Sequence, residues 1–343
     1  MASWTLREAE EAPKVVERLL RENGPEVRSL ARFLRKKPPA LVLTAARGSS
    51  DHAALFAKYL LEARLLWPVL SLAPSVLTLY GARPKVPFPS LLLAFSQSGE
   101  SPDVVEAVRA YRAQGVLTVA LVNREESPLA RAAEVVLPLH AGEERAVAAT
   151  KSFLAMLAAT AQLLAHLLEE PRLEEALPAL PEAMARALGV EGSLEYLQEA
   201  ENLFALGRGF TYPVALEAAL KLKEVAGLHA EGLSAAEFLH GPQALLEPGF
   251  PVLALVQGDE ARESLLATLE GLKAKGAHLL VLSPDPDALA LADTPLRLPL
   301  ALAPELTPLL LVQGFYPLAE ALARARGLDP DRPRHLTKVT RTR

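Results

Sequence analysis

The chain contains no cysteine. That absence excludes disulfides, thiolate metal centres and any thiol nucleophile within these residues. The opening stretch, MASWTLREAEEAPK, has no apolar core, so a secretory leader is not expected. The longest uncharged run, Ser152–Leu168, is interrupted by Ser, Thr, Gln and His and falls short of a membrane span. Neither sign of charge dominates: 36 basic residues face 41 acidic ones, for a formal net charge of -5. Such a balance gives no reason to expect nucleic acid as a partner, the basic tail Arg334–Arg343 being a local exception. Two nucleotide signatures are also missing, Gly-x-x-x-x-Gly-Lys-Ser/Thr and Gly-x-Gly-x-x-Gly. A cytoplasmic protein without membrane or nucleic-acid partners is the expectation.

What is present is a large apolar inventory. Half of the 343 residues are hydrophobic, enough for two domains of roughly 150 residues each. The 28 prolines, an excess of Arg over Lys and a scarcity of Asn give a thermophile tendency. Two amphipathic helices are read over Thr5–Arg21 and Pro25–Lys36. Short apolar runs then alternate with helical stretches. Ala40–Ala45, Pro68–Leu72, Ser90–Phe95, Leu117–Val122 and Glu134–Pro138 read as strands, and Asp51–Ala63, Ser101–Gln114 and Thr150–Glu169 as helices. Short buried strands alternating with helices define an α/β fold with a doubly wound parallel sheet.

The prolines and acids of Glu170–Pro181 mark a linker, and the pattern then restarts. Leu203–Leu206, Pro251–Val256, Leu279–Leu282 and Leu296–Leu300 read as strands, and Pro213–Val225 and Glu305–Arg326 as helices. Spacing links the halves. Arg47-Gly48 and Arg208-Gly209 lie 161 positions apart, as do Gly115 and Gly276, while Ala94–Gln97 and Ala254–Gln257 lie 160 apart. A register held over three elements points to duplication. The expected organisation is N-terminal helices over 1–36, a first domain over 37–172, a second over 185–328 and a tail over 329–343.

Three polar constellations carry candidate chemistry. Ser96-Gln97-Ser98-Gly99-Glu100-Ser101 directly follows a strand and precedes a helix. Three hydroxyls, an amide and a glycine at a helix N-terminus suit a phosphate monoester, and Ser49-Ser50 after the first strand adds two more hydroxyls. The simpler alternative is that these residues only cap the helix. Glu217, Lys221 and Glu224 share one helix face at spacings of four and three. They form either a solvated ion-pair ladder or a carboxylate tuned by an ammonium for proton transfer. Finally, His240 precedes the helix-stopping Gly241-Pro242, where an imidazole could move protons near neutral pH or simply pack. The spacing of His229, Glu231 and His240 fits no familiar metal motif.

Taken together, Ser96–Ser101, Ala148–Lys151, Gly207–Gly209, Ala218–Glu224, Glu237–Pro242 and Leu336–Lys338 resemble the SIS (sugar isomerase) family, in particular the isomerase part of glucosamine-6-phosphate synthases. The likeness runs from about Glu8 to the tail. It implies two tandem SIS domains of flavodoxin-like topology and a homodimer. Further implications are phosphate binding by Ser50, Ser96, Gln97, Ser98 and Ser101, and sugar contacts from Val147 and Thr337. Glu224 would shuttle a proton between C1 and C2, assisted by Lys221 at the sugar oxygens. His240 would open the pyranose ring in the partner subunit's site, and Lys338 would meet the open-chain carbonyl. No metal, nucleotide or flavin cofactor is implied.

Two features depart from that family. The synthases add a glutaminase with a cysteine nucleophile, which this chain does not contain. Ala149 stands where the family has Ser, and Thr337 where it has Ala. The expected activity is a glutaminase-free deaminase-isomerase on glucosamine 6-phosphate and fructose 6-phosphate. A fructosamine-6-phosphate deglycase, an isomerase subunit served by a separate glutaminase, and a non-catalytic sugar-phosphate sensor are the alternatives.

Overall fold

The structure, a computed structural model, describes residues 2–168 and 171–338. Contacts divide these residues into two compact units, neither continuous in sequence. One holds residues 14–144, 151–168, 171–178 and 337–338. The other holds residues 2–13, 145–150 and 179–336.

In the first unit the apolar runs become β1 (Leu41–Ala45), β2 (Val69–Ser71), β3 (Ser90–Ser96), β4 (Leu117–Val122) and β5 (Val135–Pro138). All pairings are parallel, in the order β2-β1-β3-β4-β5. Every residue of β3 is buried, which is why that segment reads as an unbroken hydrophobic run rather than an alternation. Each buried Leu or Phe of such a strand contributes about 2 kcal/mol through removal of apolar surface from water. This strand order places the topological switch between β1 and β3, and a crevice forms at the carboxyl ends of strands at such a point. Helix Lys151–Leu168 is buried except at His166 and Leu168. It is long and apolar enough to cross a membrane, yet 89% of it lies inside the fold, as befits a core helix.

The second unit repeats the plan with β6 (Asn202–Gly207), β7 (His229–Ser234), β8 (Pro251–Leu255), β9 (His278–Ser283) and β10 (Thr294–Arg297). Its order, β10-β9-β8-β6-β7, is again second-first-third-fourth-fifth. The registers agree too: Leu43 pairs with Leu92 and Leu92 with Thr118, while Phe204 pairs with Val252 and Val252 with Leu279. The repeated spacing in the sequence thus corresponds to one topology built twice.

Two segments differ from their sequence expectation. The edge strand β7, His229-Ala-Glu-Gly-Leu-Ser234, was not expected as a strand because its polar residues and glycine hide the period. It buries only Ala230 fully, and pairing with β6 along its whole length holds it. His229 and Glu231 are therefore strand residues, with His229 Nδ1 2.7 Å from Asn202 Oδ1 of its ladder partner. The stretch expected as a linker does hold a division between the units, after Pro178, but its described residues form short helices, Pro171–Ala176, Leu177–Ala179 and Leu180–Ala187. Its prolines stand in first turns, where the missing N–H costs nothing.

Candidate active site

The hydroxyl-rich segment lies where the topology opens. Ser96 ends β3, and Ser50 sits in the first turn of helix Ser49–Leu65, after β1. β1 and β3 are neighbours in the sheet. Their following helices, Ser49–Leu65 and Pro102–Arg112, have 17 and 11 residues, long enough for each to bring a partial positive charge to its N-terminus. Ser96 Oγ accepts the Gly99 N–H at 2.9 Å, and Ser98 Oγ accepts the Glu100 N–H at 3.2 Å. These bonds curl the loop while each hydroxyl keeps its own hydrogen to donate. Ser101 occupies the N-cap position, but its side chain makes no capping bond. Gln97, Ser98 and Ser101 are half-buried, and Ser50 and Ser96 are buried.

A charge pair that sequence reasoning missed ties these two turns together. Arg47 Nε donates to Asp103 Oδ2 at 2.7 Å, and its Nη2 lies 2.6 Å from the same oxygen. The Asp103 side chain is fully buried and also accepts the Val104 N–H. Gly99 is required at the bend. Its φ is +67°, and an added Cβ would stand 2.1 Å from Ser127 Oγ. The only sequence signals for this bracing were an arginine before Gly48 and an acid at the second helical position, both ordinary in isolation.

In the second unit, helix Tyr212–Ala226 carries Glu217, Lys221 and Glu224. A solvated ladder would leave all three in water. Here the side chains of Glu217 and Lys221 are 0% and 1% exposed, and only Glu224, at 19%, reaches solvent. Lys221 Nζ lies 3.3 Å from Glu217 Oε1 and also pairs with Glu224 Oε2. Burial by itself would lower the Lys221 pKa, but the two carboxylates outweigh it and hold the ammonium above its ordinary value. Lys221 is thus a fixed cation, and Glu224 is the member of the cluster that lines a cavity of about 550 Å³ with Lys223, Arg326, Asp329 and Arg334. The helix ends at Gly227, with φ +60°, whose N–H returns to Leu222 O.

The other expected residues fall in several places. His240 is exposed beyond the short helix Ala235–Phe238, next to Gly241 at φ +150°. It does not line the cavity that Glu224 lines. Lys338 belongs to the first unit, its Nζ 2.8 Å from Glu144 Oε2. Glu144 is wholly buried at its side chain and also accepts the N–H and O–H of Ser152 at 3.1 and 2.8 Å. Val147 is half-buried in the segment 145–150 of the second unit, where the Glu8 carboxylate accepts the Arg145 and Ala146 N–H groups. Thr337 is exposed.

Two parallel sheets of flavodoxin order, one of them carrying a hydroxyl loop at its switch point, are the build of a tandem α/β protein. Residues 36–166 and 196–294 match the SIS domain family model, and the chain belongs to that family. Along 98% of its length it is 36% identical to the glutamine--fructose-6-phosphate aminotransferase (isomerizing) of Pyrococcus horikoshii, of which it spans 57%. A solved structure from Silicibacter pomeroyi DSS-3, provisionally described as a phosphosugar isomerase, is 40% identical. It superposes with a TM-score of 0.86 over 96% of this chain and 100% of that one. The C-terminal domain of the Francisella tularensis glucosamine-fructose-6-phosphate aminotransferase gives 27% identity and a TM-score of 0.85, over 97% and 99% of the two chains.

Proposed function

We propose that the chain is a phosphosugar isomerase-type enzyme that interconverts glucosamine 6-phosphate with fructose 6-phosphate and ammonia. The observation that carries this reading is the buried Glu217–Lys221–Glu224 cluster, in which a locked ammonium holds one partly exposed carboxylate at a cavity wall. The hydroxyl loop and its paired helix N-termini supply the chemistry for a phosphate dianion, with Ser50, Ser96, Gln97, Ser98 and Ser101 as its donors.

In this reading His240, from a second copy of the chain, assists opening of the pyranose ring. Glu224 takes the proton from C2 of the open-chain amino aldehyde and returns it at C1. The product carries an imine at C2, and water attack there releases ammonia and leaves the ketose. Lys338 supplies the amine that meets the carbonyl carbon, and Val147 and Thr337 contact the sugar. These 343 residues include no thiol, so none of their side chains can draw ammonia from glutamine through a cysteine nucleophile. Deamination is the direction proposed for these residues.

Incubating the pure protein with glucosamine 6-phosphate should yield ammonia and fructose 6-phosphate in equal amounts. No turnover at high enzyme concentration, alongside an active control enzyme, would reject the reading. Release of free amine from fructosamine 6-phosphate alone would move the assignment to a deglycase, for which the substitutions at Ala149 and Thr337 leave room.

A further inference from the structure

Away from these residues the first unit contains a cleft of about 570 Å³, lined by Pro25, Arg28, Arg32, Arg35, His166 and Glu174. Its volume falls within the range of about 300–1,000 Å³ common for small-molecule sites. The three arginines recur at spacings of four and three on helix Gly24–Lys36, so they share one face. A solvated basic stripe is the ordinary explanation of such a pattern, and three observations argue against it.

First, the chain is acidic overall, and many of its exposed arginines stand against carboxylates, as Arg83 does with Glu106 and Arg124 with Glu100. Arg28 and Arg32 form no ion pair among the described residues. Second, Arg28 and Arg32, themselves exposed, and the half-buried Arg35 line one concavity together. Arg35 is anchored at its wall, with Nη1 donating to the His166 carbonyl. Third, a histidine ring with 11% side-chain exposure stands among them. Burial depresses its pKa most, Glu174 opposes that, and Arg28 and Arg35 depress it further. Among the described residues that line the cleft, one carboxylate, Glu174, 54% exposed, accompanies Arg28, Arg32 and Arg35.

We propose that this cleft is a second anion site, one that takes the phosphomonoester or diphosphate group of a small ligand. Guanidiniums match such oxygens with paired, charge-assisted hydrogen bonds. Arg28 and Arg32 supply uncommitted forks, and Arg35 adds a positioned charge. None of the hydroxyl-loop residues lines this cleft, so the inference stands apart from the sugar chemistry proposed above.

Isothermal titration of the full chain with inorganic pyrophosphate at low ionic strength tests it. Binding should persist in S96A/S98A, which weakens the hydroxyl loop, and should weaken about tenfold or more in R28Q/R32Q. The conservative R28K/R32K, which keeps the charge but loses the fork, should fall between them. It also keeps the test open if the glutamine pair fails to fold. No binding heat in the unaltered protein, affinity unchanged by the arginine substitutions, or binding lost with the serines would each overturn the proposal.

Discussion

The turn after β3 and its counterpart after β8 leave matching strands of the duplicated fold and offer opposite chemistry. After β3 come hydroxyls, with Gly99 bent at φ +67° so that the backbone N–H groups turn inward onto serine oxygens. After β8 come Gln257, Gly258 and Asp259. Asp259 Oδ1 accepts the Ala261 N–H at 2.9 Å, and its Oδ2 accepts from Gln257 Nε2 at 2.6 Å. There the entrance to helix Arg262–Ala274 is met by the chain's own carboxylate. If the first turn holds a phosphate as proposed, the repeated topology offers an equivalent position after β8, and there the Asp259 carboxylate takes it. The second unit instead places its charged chemistry on the flank of helix Tyr212–Ala226.

The largest effect that would probe this contrast is on stability. Lys221→Met would leave the fully buried Glu217 beside an apolar chain, and removing one partner of a buried pair costs about 3–5 kcal/mol. Urea melts should show that loss. A loss under about 1 kcal/mol would mean that the cluster is solvated after all. Next comes turnover. Glu224→Gln should lower kcat by at least about 10²-fold if its carboxylate is the general base, with the circular-dichroism spectrum unchanged.

Two glycines sharpen the comparison of the turns themselves. Gly99→Ala forces Cβ against Ser127 and strains a positive φ, at a cost of about 1–3 kcal/mol, and should abolish retention on a phosphosugar matrix. Gly258 has open space around its Cβ position, so Gly258→Ala should stay within about 0.5 kcal/mol of the parent. If both variants bind alike, the first turn is not the phosphate site. A milder version pairs Ser98→Ala with Asp259→Asn. The first should raise KM about tenfold at nearly constant kcat, through loss of one hydrogen bond to a charged group, and the second should leave KM unchanged.

The smallest effect is on acid stability. His140 and His166 in the first unit and His278 in the second all have pKa values lowered chiefly by burial. In the unfolded chain they titrate near 6.5, so on acidification the unfolded state takes up protons before the folded one. Their contribution is complete above that pH and is lost as pH falls through the folded values. Melting temperature should therefore decline below about pH 6.5, and His278→Gln should blunt part of the decline. A flat profile from pH 7 to 5 would show that these rings are solvated.

The sequence displayed the parallel strands because full burial leaves continuous apolar runs such as Ser90–Phe95, and it displayed the duplication because the register repeats. It concealed β7, whose edge position tolerates Gly, Glu and His, and it marked the division near Pro178 without the helices of 171–187, because proline marks helix starts as well as breaks. The candidate site was legible where neighbouring residues act together, as in Ser96–Ser101 and Glu217–Glu224. It was not legible where distant residues meet. Nothing in the spacing of Arg47 and Asp103, or of Glu144 and Lys338, announces a contact, since such pairs are made by chain crossings and not by any local period.

Glu144 and Lys338 lie 194 positions apart, and that distance has a consequence for biosynthesis. The Glu144 carboxylate can meet the two Ser152 donors soon after it is made, but the ammonium of Lys338 is translated 194 residues later. Until then the nascent first unit lacks one contact of a wholly buried carboxylate. Its packing around Glu144 would thus be completed only after the second sheet has been synthesised, and not with completion of its own sheet.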